Sequence, residues 1–71
     1  MNVYLYAFLD LEGWVHSGLT TNQGRADVMQ EIVANFGKVA HVMIRQAPEL
    51  RPIWDDSGTH ITGYKRVEGK A

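Results

Sequence analysis

Three histidines and two aspartate turns carry most of the chemistry this 71-residue chain could perform: His16, His41 and His60, with Asp10 and the pair Asp55-Asp56. Three imidazoles could ligate zinc, copper or nickel. Their spacing matches no local ligand motif, and they fall on three separate candidate strands, so a metal centre would need all three to converge. The chain has no cysteine, which removes thiolate ligands and disulfides. Asp55-Asp56-Ser57-Gly58 supplies calcium-type oxygens but lacks the alternating ligands and closing bidentate acid of a calcium loop, so it reads as a turn. His41, flanked by Val39 and Met43 in alternation, is the one candidate base, and nothing beside it in sequence polarises it. The aspartates sit in turns, where water solvates them. Ser17 and Ser57 lack a nucleophile elbow, and no glycine-rich phosphate loop precedes a helix. The expectation is a protein with no catalytic residue, no cofactor and no metal, with His16, His41 and His60 as the weak metal candidates.

The elements that position these residues follow from period and punctuation. Val3-Tyr4-Leu5-Tyr6-Ala7-Phe8-Leu9 is apolar on both faces of a strand over residues 2–10. Asp10-Leu11-Glu12-Gly13 has the residues a type I turn favours, and residues 14–19 form a second strand, giving a hairpin. Thr20-Thr21-Asn22-Gln23 has the form of a capping box opening a helix that runs to Phe36. Ala26, Met29, Val33 and Phe36 line its apolar stripe, with Val28 and Ile32 widening it. Gly37 stands where a left-handed C-cap belongs. Residues 38–46 alternate again as a third strand. Residues 47–52 carry two prolines and read as a loop. A short strand over 53–55, the turn at 55–58 and a last strand over 59–67 complete the order β-β-α-β-β-β. Residues 68–71 read as a frayed tail. The two Asp-x-x-Gly turns resemble each other, and hairpin chemistry explains this without a duplication.

Composition narrows the class. One domain of this length buries only about 60% of its unfolded surface, so assembly is a common source of further burial. The net charge of −1 provides no basic excess for nucleic acid. A local basic group (Arg45, Arg51, Lys65, Arg66, Lys70) is interrupted by Glu49, Asp55, Asp56 and Glu68. No signal peptide pattern is recognised, and no apolar run approaches the ~20 residues of a membrane span; the expected setting is cytoplasmic.

The expected fold is α+β: one helix on one face of a mostly antiparallel four- or five-stranded sheet, in the order 2-1-3-4-5. A right-handed crossover places the third strand beside the first. Parity then assigns the aliphatic side chains (Val3, Leu5, Ala7, Leu9; Ala40, Val42, Ile44; Ile61, Val67) to the helix side. The open face collects the aromatics and all three histidines. Its expected partner-binding residues are Tyr4, Tyr6, Phe8, Trp14, His41, Met43, Arg45 and Tyr64, types enriched at protein interfaces. The expected function is protein binding through this face, including self-association as a homodimer. A small accessory or inhibitory protein of the phage type, acting in a host cytoplasm, suits a chain with so little chemistry. The alternatives are single-stranded nucleic acid stacked on the aromatic face, and a small enzyme or metal-binding protein using the histidines.

Overall fold

The computed structural model describes residues 2–67 of the chain. It has the expected element order: β1 (Asn2–Leu9), β2 (Val15–Asn22), α1 (Arg25–Phe36), β3 (Ala40–Gln46), β4 (Leu50–Trp54) and β5 (Ile61–Arg66). The class is α+β, every strand pair is antiparallel, and β1 lies between β2 and β3 as the crossover rule requires. The expected tail at 68–71 lies outside the described residues.

Both turns form as their residues dictate. Gly13 N donates to Asp10 O at 3.1 Å and Gly58 N to Asp55 O at 3.0 Å. Both glycines take positive φ, 90° and 75°, which closes each loop at little steric cost. Gly37 caps α1, with its N–H on Val33 O at 2.8 Å. The capping box at Thr20 does not form. Thr20 pairs with Tyr4 inside β2, which runs on to Asn22, and Gly24 is the N-cap without a side-chain bond. Thr20 and Asn22 instead donate to the Glu31 carboxylate on the helix at 3.0–3.2 Å, tying α1 across β2.

The sheet divides. β4 and β5 form their own two-stranded sheet rather than extending β2-β1-β3. Val67 N donates to Glu49 O, so Arg51 and Ile53 face β5 and Pro52 faces away. Pro52 has no N–H, and it blanks the edge of β4 on which β3 would have to pair.

The largest correction concerns the faces. Tyr4 and Phe8 are buried with Val28, Ile32 and Ile44 in the core cluster, and Tyr6, Met29, Val39 and Val42 pack against it. The helix therefore covers the aromatic side of β1. Leu5, Ala7 and Leu9 point the other way. The assignment for β3 holds for Val42, Ile44, Met43 and Arg45, since Tyr6 pairs with Ile44 and Ala7 with Met43, but the bulge at His41 reverses it before that point: Ala40 pairs with Leu9 on the open side and Val39 packs against the core. Those for β1 and β2 are inverted. Aromatic rings remove more apolar area from water per residue than Val, Leu or Ala, so the single helix is better spent on them. The helix stripe shifts with them: Val28 and Ile32 are buried, whereas Val33, Phe36 and Ala26 are exposed. Gly18 opposite Tyr6 makes the packing possible. A Cβ there would lie 2.7 Å from the Tyr6 hydroxyl and 2.9 Å from its ring carbon.

Candidate interaction surface

The uncovered side of β2-β1-β3 is aliphatic. It carries Leu5, Ala7 and Leu9 from β1, Val15, Ser17, Leu19 and Thr21 from β2, and Met43 and Arg45 from β3. Helix α1 lies on the opposite side, and β4 meets β1 at the Asn2–Val3 end, where Ala47, Leu50 and Pro52 adjoin Val3. Val15 is 72% exposed and Met43 45%, with Leu5, Ala7, Leu9 and Leu19 half-buried between them. Arg45 is the charged side chain of the face, and Glu49 holds it at 3.1 Å. That bond draws the Glu49 carboxyl below the usual carboxylate range.

The tip of the first hairpin is also apolar and exposed. Leu11 is 79% exposed and Trp14 68%. Asp10 fixes the tip: its Oδ1 accepts from the backbone of Glu12 at 2.8 Å and Trp14 at 3.0 Å, and its Oδ2 accepts from His16 Nε2 at 2.9 Å. The His16 bond is the main reason the Asp10 carboxyl titrates below its ordinary range. His16 stacks on Phe8 at 5.1 Å and meets Phe36 at 5.0 Å, so the tip is anchored to the covered side of the sheet.

The second hairpin repeats the pattern. Asp55 Oδ1 accepts from Ser57 Oγ at 2.7 Å and from Thr59 N at 3.2 Å, and Oδ2 accepts from His60 Nδ1 at 3.1 Å. These bonds, led by Ser57, hold Asp55 down at about 2. Each Asp–His pair is spent within its own turn.

The expected site residues thus scatter. Met43 and Arg45 are on the open face, Trp14 is on the adjoining tip, and His41 is exposed in the bulge at its margin. Tyr4 and Phe8 are in the core, and Tyr6 lies half-buried across Gly18 on the helix side. Tyr64 belongs to the second sheet, half-buried; burial pushes its hydroxyl up, with the charges of Glu31 and Tyr6 adding to the shift. Val15 and Leu19 were missed, and the sign that would have found them is Gly18, which must face a bulky neighbour. The histidines do not converge, and among the described residues no group of three His, Cys, Asp or Glu side chains is placed to hold a metal ion. No described helix is long and apolar enough to cross a membrane. An open groove of about 400 Å³ beside β3 is lined by Arg25, Ala26, Met29, Val42 and Ile44, with no acid–base pair in it.

Comparison with protein-family models, with curated proteins and with solved structures finds no match.

Proposed function

We propose that this chain is a protein-binding domain without catalytic activity, whose contact surface is the aliphatic face of β2-β1-β3 together with the Leu11–Trp14 tip. One observation carries the reading. The core cluster holds five buried side chains, while Val15 and Met43 remain exposed on the aliphatic side of the same three strands and Leu11 and Trp14 are exposed at the hairpin tip that joins two of them. An exposed apolar patch rimmed by polar residues marks an interaction site in a small domain. The occupant is a protein, either another copy of this chain or a partner; a small accessory or inhibitory role in a cytoplasm, of the phage type, fits it. Single-stranded nucleic acid is less well supported than the sequence suggested, because the Tyr4 and Phe8 rings on which bases would stack are inside the core.

The test is the double substitution Val15→Glu and Met43→Glu. Both side chains are exposed, so circular dichroism and melting should match the parent. Capture of a specific protein from the cell of origin, or self-association seen by light scattering, should be lost. A variant that captures the same protein with undiminished yield overturns the face as the contact surface.

A further inference from the structure

The edge of β2 points to a second copy of this chain. Trp14 O accepts from Asp10 N at 3.0 Å, so the hydrogen-bonded pairs of the first hairpin recur at every second residue: Phe8 with His16, Tyr6 with Gly18, Tyr4 with Thr20. The N–H and C=O groups of Val15, Ser17, Leu19 and Thr21 therefore point outward. No hydrogen bond from the described residues reaches them.

Sheets normally protect such edges with charge, proline, a bulge or cover. The other edges here are protected. On β3, His41 forms a bulge at positive φ, and Arg45 bonds the Gln46 carbonyl at 3.3 Å. Pro52 interrupts β4, and β5 ends in Lys65-Arg66. β2 has none of these devices. Its eight residues, Val-His-Ser-Gly-Leu-Thr-Thr-Asn, include no acid, lysine, arginine or proline, and its register with β1 is unbroken.

We infer that β2 pairs antiparallel with β2 of a second copy about a twofold axis at Gly18, joining two three-stranded sheets into one of six. A twofold axis sets a strand against itself, so any formal charge on it would recur in the facing strand. An uncharged strand is compatible with that. The axis at Gly18 sets Val15 opposite Thr21 and Ser17 opposite Leu19, each pair twice. All four outward residues then bond, about eight hydrogen bonds at two per pair. An axis at Leu19 would instead leave Val15 opposite Gln23, beyond the strand. On the helix side His16 would face Thr20 of the second copy, whose hydroxyl is bonded to Glu31, so unlike rather than like groups meet.

Assembly at this edge also enlarges the open face. Three strands about 4.8 Å apart and some 25 Å long present roughly 400 Å². That is half of the ~800 Å² each partner contributes to a standard interface. Joining two copies at β2 doubles the aliphatic face into one surface, which deepens the proposed function without depending on it.

The experiment is sedimentation equilibrium with amide hydrogen exchange on the full chain. The expected result is a concentration-dependent species of twice the 8.0 kDa chain mass. In that species the amides of Val15, Ser17, Leu19 and Thr21 exchange far more slowly than in the dilute chain. Ser17→Pro removes one outward donor and should return the monomer. Should that variant fail to fold, Ser17→Lys with Leu19→Lys, which sets lysines directly opposite, should return it at low salt. A strict monomer at millimolar concentration overturns the inference. So does a dimer that survives a folded Ser17→Pro variant or leaves these four amides unprotected. Met43→Glu lies away from the axis and should leave the dimer intact. Loss of the dimer there, with Ser17→Pro still dimeric, would assign assembly to the face, overturning the edge and leaving the proposed function standing.

Discussion

The two faces of β2-β1-β3 use the same strands to opposite ends. Beneath the helix, Phe8 is 2% exposed, packed edge-on to Phe36 and stacked on His16. Across the sheet, Met43 is paired beside Ala7 and is 45% exposed. One helix can cover one face, and it covers the one with rings. The bare face is then free to carry side chains that contribute little to folding, as the proposed contact surface requires.

The sharpest break of this comparison is truncation on each face. Phe8→Ala empties a fully packed site and should cost about 3–5 kcal/mol, enough to unfold a domain this small in a urea titration. Met43→Ala on the bare face should stay within about 0.5 kcal/mol. A comparable loss from both would mean that the bare face is covered after all.

Gly18→Ala comes next. The added methyl meets the Tyr6 ring at distances no Cβ tolerates, so Tyr6 must swing off β2 or the strand must move. Overpacking of this kind costs about 1–3 kcal/mol. Pairing the change with Tyr6→Leu should restore most of it, a coupling that a double-mutant cycle reads directly. Additive losses would mean that the ring does not need the glycine.

These residues also show what was legible beforehand. The turns at Asp10 and Asp55, the C-cap at Gly37 and the three-strand order depend on neighbours in sequence or on chain handedness, and they were readable. The face of β1 was not. Alternation divides its residues into two sets but does not say which set meets the helix; that depends on Tyr6 pairing with Ile44 and on Gly18 making room. The division of the sheet was not readable either: the two prolines were taken to make 47–52 a loop, whereas β4 begins at Leu50, and which of its edges Pro52 blanks is set by the Glu49–Val67 bond to β5. Of the proposed surface, Met43 and Arg45 were placed on the open side by alternation in the third strand, Trp14 was assigned to it and lies at the hairpin tip, and Val15 and Leu19 were left out by the inverted parity.

His41 offers a smaller effect at the margin of the two faces. It holds φ at 54° in the bulge opposite Phe8, a backbone that glycine adopts at lower cost. His41→Gly should raise stability by about 0.5–1 kcal/mol after the greater chain entropy of glycine is deducted. A melting temperature that falls instead would show that the exposed imidazole makes a contact worth more than the strain.

The smallest effect separates the two Asp–His turns, one anchored to the covered face and one standing outside it. Asp55 is held at about 2 against an ordinary 3.8, and Asp10 is lowered as well. A depressed carboxyl favours the folded state above its unfolded pKa, and that contribution fades as pH falls through the folded value. Stability should thus decline between about pH 4 and pH 2, with water screening most of the change at these exposed turns. The local consequences differ. Protonating Asp55 releases Ser57, Thr59 and His60, and faster amide exchange at Thr59 should report it with the core unmoved. Protonating Asp10 releases His16 from its seat between Phe8 and Phe36, so the ring resonances of both phenylalanines should shift in the same acid titration. Asp10→Asn should reproduce that shift at neutral pH, and Asp55→Asn should not. If both variants disturb the phenylalanines equally, the second hairpin is coupled to the core and the division between anchored and free turns fails.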